Sequence, residues 1–365
     1  MQVEVDEVGI FLRTGFISLH EEAKKLSRHL GGVDVIDYEQ YRSLRPPPYY
    51  PRHMVEEWYR KHKLKKYRKA VFIAPFQRIE VAKMMSFKGS QQFERVIWYT
   101  VTEGLSLHME AYARRLKNEI IATPSQFSKQ MIELVGGKVD YVIPHQAEEP
   151  LIIDDAYGRR WREKYPKNKK LLAYIGNPVA RKGLLELREA VDILAKRRDD
   201  FHVVLHTCNQ PNLAGYDVNT LKHPKITLEL EFGLIPKSQA LAKMKYADYY
   251  IHPAKGEGFG LPVLEALQLG KPLICCDAFG VNEIADPKCS WMCPRKGERF
   301  VDYPPRGMRL IRFKEAIIDP HDLADTIDHA LSASRDEIED KVARGFEVVE
   351  RFRNTYDRFK ELLGL

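Results

Sequence analysis

Residues 255–265 read Lys-Gly-Glu-Gly-Phe-Gly-Leu-Pro-Val-Leu-Glu and carry two acids, Glu257 and Glu265, with seven residues between them. The residues before them, Tyr249–Pro253, have the pattern of a short buried strand. A glycine-rich turn follows the strand, and Leu261–Leu269 have the pattern of a helix. A strand, a turn and a helix in this order aim backbone N–H groups and a helix N-terminus at one point, where they can hold an anion such as a phosphate. Carboxylates accept hydrogen bonds from hydroxyl groups, so sugar and ribose hydroxyls suit the two acids.

This stretch resembles the signature of the retaining glycosyltransferases of family 4 (glycosyl transferases group 1), which have the GT-B fold. The resemblance implies that Glu257 lies at the donor sugar and that Glu265 binds the ribose of a nucleotide. The turn residues whose backbone would approach the sugar and the diphosphate are Gly258, Phe259, Gly260 and Leu261. The alternative is an ordinary strand–turn–helix unit with solvent-exposed acids.

A second segment, Gly176-Asn-Pro-Val-Ala-Arg-Lys-Gly183, follows the first strand predicted in the second half of the chain. It resembles the phosphate segment of the same family. A departing diphosphate needs a fixed cation, and the resemblance assigns that role to Lys182. Asn177 stands where the family commonly has arginine, so Arg181 is the candidate substitute for the missing cation. A solvated pair of basic residues in front of a helix is the alternative.

Weaker resemblances concern three other loops. Gly15 lies in a loop that in the family faces the donor phosphates, and Gly233 and Leu234 lie where backbone groups contact the base. Glu103 occupies a loop where many family members have histidine, just before a helix predicted over Leu105–Leu116. Its carboxylate could accept a hydrogen bond from a sugar or acceptor hydroxyl and is included among the catalytic candidates. For each of these loops, a plain connection between elements is the alternative.

Composition sets broad limits on the class of protein. The chain has 365 residues, enough for two domains, and its 58 basic and 51 acidic residues give a net charge of +7. This excess favours anionic partners such as nucleotides. The five cysteines show no regular framework, which indicates a reducing compartment and argues against a structural zinc site.

Two absences in the sequence shape the expected chemistry and location. No Asp-x-Asp occurs, so a metal-independent enzyme without a cofactor is expected, in which basic groups and a helix dipole neutralise the diphosphate. No stretch approaches the roughly 20 apolar residues of a membrane span, and the first residues lack a signal-peptide pattern. A cytoplasmic protein is expected.

Predicted strands and helices alternate along most of the chain, which indicates an α/β protein with parallel sheets. The GT-B resemblance implies two Rossmann-like domains facing across a cleft, with a C-terminal helix that returns to the first domain. The predicted boundaries are 1–150 for an acceptor-side domain, 151–170 for a linker, 171–335 for a nucleotide-sugar donor domain and 336–365 for the returning helix.

Residues 54–69 form the most basic stretch, with Trp58 and Tyr59 followed by many lysines and arginines. Cations and interfacial aromatics favour anionic membrane surfaces, so peripheral membrane contact is one interpretation and a solvated helix face is the other. Nucleic acid is not an expected partner, because no recognition motif accompanies the charge.

Together these residues favour a retaining glycosyltransferase of the hexosyltransferase type. Its donor would be a nucleotide-diphosphate sugar, and its acceptor a glycan, a lipid-linked sugar or a protein. One alternative is a GT-B phosphorylase or epimerase. Another is an inactive GT-B module that binds a glycan or a partner, which the asparagine at position 177 favours.

Overall fold

The computed structural model describes residues 5–13, 17–38, 66–89, 92–209, 215–303 and 311–365. The chain divides into two compact units. The first comprises Met1–Thr102, Ser106–Gln146 and Asn354–Leu365, and the second comprises Glu103–Leu105 and Ala147–Arg353.

The first unit is built around a parallel sheet of six strands in the order β2-β1-β3-β4-β6-β7. Its elements are β1 (Val5–Leu12), α1 (Ile17–His29), β2 (Asp34–Asp37), β3 (Lys66–Pro75), α2 (Glu80–Lys88), β4 (Arg95–Val101), α3 (Met109–Arg115), β6 (Ile120–Thr123), α4 (Gln126–Glu133), β7 (Tyr141–Val142) and α11 (Asp357–Leu363). The central strand β3 is buried continuously from Ala70 to Pro75, as expected for a parallel strand covered on both faces.

The second unit has its own six-stranded parallel sheet, in the order β10-β9-β8-β11-β12-β13. Its elements are α5 (Asp155–Arg162), β8 (Lys170–Ile175), α6 (Leu184–Ala195), β9 (Phe201–His206), β10 (Ile226–Glu229), α7 (Lys237–Tyr246), β11 (Tyr249–His252), α8 (Leu261–Gln268), β12 (Leu273–Cys276), β13 (Trp291–Cys293), α9 (Pro320–Ser332) and α10 (Arg335–Glu350). The order of these strands is that of a doubly wound nucleotide-binding fold.

A smaller sheet of three strands completes the second unit. It contains β14 (Arg295–Tyr303), β15 (Ile311–Ile318) and the short strand β5 (Gly104–Ser106), in the order β14-β15-β5. Strands β14 and β15 are antiparallel. The helix predicted over residues 105–116 is therefore wrong at its start, because β5 occupies residues 104–106 and α3 begins at Met109.

The segment predicted as a linker, residues 151–170, belongs to the second unit. Its helix α5 packs closely on α7, since a Cβ on Gly158 would lie 2.3 Å from the ring of Tyr246. The buried Trp161 donates a hydrogen bond from Nε1 to Glu229 over 2.8 Å. These contacts make the segment part of the packed domain.

The segment predicted as a returning helix, residues 336–365, is divided between the two units. Helix α10 packs on α8 within the second unit, where Gly345 lies against Leu267. Only residues 354–365 belong to the first unit, and Tyr356, Phe359 and Leu363 are buried in its core. The apolar side chains of this last segment explain why it joins that core.

Both units thus confirm the prediction of an α/β protein with two Rossmann-like parallel sheets. None of the helices in the described ranges combines the length and the apolar composition that a membrane span requires.

A buried polar cluster attaches the C-terminal segment to the first unit. Glu22 is 1% exposed, forms an ion pair with Lys25 and lies 3.1 Å from His145 Nδ1. The Tyr356 hydroxyl donates to the same carboxylate over 2.6 Å. Burial opposes the charged carboxylate, but Lys25 and His145 outweigh it and hold the pKa of Glu22 well below its usual range. The carboxylate of Glu22 is therefore ionised in the folded protein and holds Tyr356 in place.

We expect Glu22→Gln to lower the stability of the first unit by about 3 kcal/mol near neutral pH, because it removes the charge that compensates Lys25. A carboxylate whose pKa is lower in the folded than in the unfolded protein stabilises the fold at pH values above the unfolded pKa, roughly 4.3. That contribution is lost as the pH falls through the folded pKa. The difference between variant and wild type should therefore shrink below about pH 4. Calorimetric unfolding across this range measures it, with Glu21→Gln as the control, since Glu21 is a partly exposed carboxylate paired with Lys24. A difference that grows in acid would contradict the assignment.

Candidate functional site

The carboxyl ends of β8 and β11 are neighbours in the sheet of the second unit. Strand order reverses there, since the chain continues outward from β8 to β9 on one side and from β11 to β12 on the other. Ligands of open α/β sheets bind at such a point. The loop that follows β8 contains Lys182, and the loop that follows β11 contains Glu257, so the topology brings the two sequence motifs together.

The two loops touch through their backbones. Gly183 has a φ of +70°, and a Cβ there would lie 1.9 Å from the carbonyl oxygen of Pro253. The Lys255 N–H donates to the carbonyl oxygen of Arg181 over 2.8 Å. Glycine at position 183 is thus required both by the backbone conformation and by the close approach of the loops.

Glu257 is the centre of the site. Its side chain is buried and forms ion pairs with Lys182 and, over 2.8 Å, with Arg181 Nη1. His252 Nε2 lies 3.1 Å from the same carboxylate. A carboxylate removed from water is stable only with such partners, and here two cations and an imidazole provide them.

The electrostatics follow from burial and pairing. Burial opposes the charge on Glu257, but Lys182 and Arg181 outweigh it and hold the pKa of this carboxylate well below its usual range. Burial lowers the pKa of His252, although Glu257 acts in the opposite direction. At neutral pH the site therefore contains an ionised Glu257 beside a neutral imidazole.

Arg181 is the candidate substitute for the cation missing at position 177, and protein oxygens bind its guanidinium in this structure. It is buried, and its Nη1 donates to the carbonyl oxygen of Gly256 over 2.8 Å as well as to Glu257. Its Nη2 lies 2.5 Å from Glu103. Burial opposes the guanidinium charge, but Glu103 and Glu257 raise the pKa of Arg181 above its usual range. The guanidinium thus connects two carboxylates, and the sequence did not reveal this pairing.

Glu265 lies on α8 with a partner that the sequence analysis missed. Lys237, the first residue of α7, lies 2.9 Å from Glu265 and 3.1 Å from Glu148. Burial opposes the ammonium charge, but Glu265 raises the pKa of Lys237 above its usual range. The carboxylate in the middle of α8 is thus paired with the first residue of α7, and its oxygens could still accept hydrogen bonds from hydroxyl groups.

The turn before α8 is shaped by glycine and by a buried ring. Gly260 has a φ of +111° and precedes the helix, whose second residue is proline. Phe259 packs edge-on against Phe352 with ring centroids 5.7 Å apart, so its side chain faces the core. Gly258 and Leu261 flank these two residues in sequence, and their predicted contact with the sugar and the diphosphate stays a prediction.

Gly280 was not recognised in the sequence, although it shapes the same turn. Its φ is +77°, and a Cβ there would lie 2.2 Å from the carbonyl oxygen of Glu257. The Glu257 N–H donates to the carbonyl oxygen of Phe279 over 2.8 Å. The loop after β12 thus positions the backbone of the buried acid.

The remaining predicted residues have varied positions. Asn177 accepts a weak hydrogen bond from Cys208 Sγ at 3.6 Å and contributes no positive charge. Gly233 has a φ of +82°, and the adjacent Leu234 is 81% exposed in the loop before α7. Gly15 lies outside the described residues, as do positions 54–65 of the basic stretch.

One group in the described ranges has the geometry of a metal site. The ligand atoms of His206, Glu229 and Glu231 lie within 4.8 Å of one another. However, the Lys243 ammonium lies 3.1 Å from His206, 2.6 Å from Glu229 and 3.1 Å from Glu231. Burial and Lys243 lower the pKa of His206 to about 4. A lysine cation therefore occupies the position that a metal would take.

Comparison with solved structures defines the class of fold. A glycosyltransferase from Rickettsia africae ESF-5 superposes with a TM-score of 0.68 at 16% identity, over 98% of this chain and 99% of that one. HepE of Anabaena, solved in complex with UDP and glucose, has a TM-score of 0.70 at 12% identity, with the same coverage of both chains. The chain has the GT-B fold of these glycosyltransferases.

Sequence comparison is more specific for the second unit. Residues 159–296 match the model of the family described as glycosyl transferases group 1. A Bacillus subtilis (strain 168) protein, TuaC, is 30% identical over 125 residues, or 34% of this chain. Its name assigns it provisionally to teichuronic acid biosynthesis as a glycosyltransferase. The match spans 29% of the length of that relative.

We expect Gly280→Ala to be strongly destabilising, because its methyl group would collide with the backbone of Glu257. Gly215→Ala is the matched control, since Gly215 has a φ of +79° but no described atom lies within 4 Å of its added Cβ. The control should lose about 1–2 kcal/mol from backbone strain alone, and Gly280→Ala at least about 2 kcal/mol more. Calorimetric unfolding compares them. Equal losses would show that the turn has room for a methyl group.

Proposed function

We propose that the protein is a glycosyltransferase that moves a sugar from a nucleotide-diphosphate sugar to an acceptor hydroxyl. The observation that supports this most directly is the ion pair of the half-buried Lys182 with the buried Glu257 at the strand-order reversal, next to the N-terminus of α8. A lysine and an open helix N-terminus together suit a diphosphate. The match of residues 159–296 to glycosyl transferases group 1 points to the same chemistry.

In the proposed complex, the diphosphate lies at the turn formed by residues 258–261 and contacts Lys182. Glu257 then accepts hydrogen bonds from the donor sugar, and Glu265 from the ribose. The backbone of Gly233 and Leu234 would contact the base. A diphosphate that leaves with an extra electron pair is stabilised by the cation and by helix N–H groups already fixed in position.

The proposed reaction retains the anomeric configuration and transfers a hexose. The bond from the sugar C1 to the phosphate oxygen breaks, and its electron pair leaves with the diphosphate. The acceptor oxygen forms a bond to C1 on the same face, and its proton passes to a phosphate oxygen. Lys182 and the turn amides neutralise the negative charge of the departing diphosphate, so we propose no metal and no cofactor.

The acceptor would be a glycan, a lipid-linked sugar or a protein. We further propose a cytoplasmic location, with membrane contact through residues 54–69 if the acceptor is lipid-linked.

An inactive GT-B module is the second candidate. Asn177 provides no cation, and Arg181 is bound by two carboxylates. A binding module would bind a nucleotide or glycan without turnover. A phosphorylase or an epimerase would convert its substrate by phosphorolysis or epimerisation in the absence of a glycosyl acceptor.

A thermal-shift screen of nucleoside diphosphates and their sugars, followed by donor hydrolysis, tests the proposal. A ligand that binds only the folded protein raises its unfolding temperature. We expect one nucleotide sugar to bind and to be hydrolysed slowly by the wild type, and Glu257→Gln to lose hydrolysis. NMR of the released sugar would show the original anomer first. If the wild type neither binds nor turns over any donor, the proposal that the protein is an enzyme is wrong.

We expect Lys182→Met to weaken binding of the nucleoside diphosphate about tenfold or more, because a charged hydrogen bond to phosphate is lost. Affinity for the nucleoside alone should not change, since it carries no phosphate. Lys196→Met removes an exposed lysine from the same unit and is the control for net charge. Isothermal titration calorimetry measures all three proteins. Equal losses in both lysine variants would contradict a direct phosphate contact.

A further inference from the structure

The β14–β15 hairpin connects Glu103 to the central motif. The Ala316 N–H donates to the carbonyl oxygen of Lys255 over 2.8 Å, and the Lys314 N–H donates to that of Glu103 over 3.4 Å. Almost the whole hairpin lies beyond the family match, which ends at residue 296. One strand, β15, therefore supports both the loop that contains Glu257 and the segment that contains Glu103.

The backbones of these segments approach one another closely. A Cβ on Gly104 would lie 2.3 Å from the carbonyl oxygen of Arg312, and one on Gly256 would lie 2.7 Å from that of Lys314. The ring of Phe313 lies 5.9 Å from the Arg181 guanidinium. The hairpin thus places the backbone of Glu103 beside Arg181, while the Glu103 side chain is 24% exposed.

The ion pairs around Arg181 are balanced in charge. Two cations, Arg181 and Lys182, face two carboxylates, Glu257 and Glu103. The two acids differ in access to solvent, since the side chain of Glu103 is 24% exposed and that of Glu257 is 6% exposed. Glu103 is therefore the acid that an incoming anion can displace from Arg181 at lower cost.

We propose that Glu103 sets the affinity of the site for diphosphate by competing for Arg181. This inference rests on the proposed function of the same site. With Glu103 in place, the ligand-free site is neutral and Arg181 donates to protein carboxylates. An arriving diphosphate shares Lys182 with Glu257 and displaces Glu103 from the guanidinium. When the diphosphate leaves, Glu103 returns to Arg181, which favours product release.

Removing the charge of Glu103 should raise the affinity for diphosphate and lower the turnover. Arg181 would then lack one counter-ion, so Glu103→Gln should bind inorganic pyrophosphate and nucleoside diphosphates about fivefold more tightly or better. Its turnover at saturating donor should fall, because release of the diphosphate slows. A structural defect would instead weaken binding and turnover together.

The experiment compares Glu103→Gln and Glu103→Ala with Glu103→Asp and with Asp302→Asn. The aspartate variant keeps the charge, and Asp302→Asn changes the net charge equally at an exposed pair with Arg312 on the same small sheet. Titration calorimetry with pyrophosphate, with UDP, GDP and ADP, and with the free nucleosides gives the affinities at low and high salt. We expect tighter anion binding only in Glu103→Gln and Glu103→Ala, with a larger gain in affinity at low salt than at high salt. Affinity for the free nucleosides should not change.

The outcomes separate the two proposals. If the wild type binds and hydrolyses a donor but both charge-removing variants bind diphosphate like Asp302→Asn, the role of Glu103 is wrong and the proposed function stands. Weaker diphosphate binding by folded Glu103→Gln or folded Glu103→Ala would also overturn the role of Glu103. If neither the wild type nor the variants bind any of the anions, both proposals fail.

Discussion

The buried carboxylate of Glu257 is the constraint on which the arrangement of the second unit depends. An acid in this position costs several kcal/mol unless cations and hydrogen-bond donors compensate it. This carboxylate forms ion pairs with Lys182 and Arg181 and lies within hydrogen-bond distance of His252. Those partners come from the loop after β8 and from the last residue of β11, so the pairing of these two strands brings the compensating groups to the buried acid.

Glycine makes that pairing sterically possible. Gly183 lets the two motif loops touch, and Gly280 lets the loop after β12 reach the backbone of Glu257. At the same place α8 begins, with its N-terminal N–H groups directed away from the helix. A compensated acid, a lysine and a helix end without a side-chain cap therefore coincide at the point where an open α/β sheet binds its ligands.

Parts of this site were predictable and parts were not. The acids Glu257 and Glu265, the turn between them and Lys182 carry a local signature, because strand–turn–helix geometry follows from nearby residues. The partners Lys237 and Glu103 were harder to assign, since an ion pair depends on how distant segments pack. The β14–β15 hairpin was missed as well, because β14 is rich in charged residues and its pattern is not that of a buried strand.

The sequence by itself determined the alternation of strands and helices, hence an α/β fold with two parallel sheets, and the local shape of the turn at residues 258–260. It did so because periodicity and glycine act over a few residues. Tertiary structure alone decided which charges meet: Arg181 lies 78 positions from Glu103 and 76 from Glu257 in sequence, yet it bonds both. Folding of the whole unit sets the distance and burial of such groups, and these determine whether an arginine is open to a ligand or held by carboxylates.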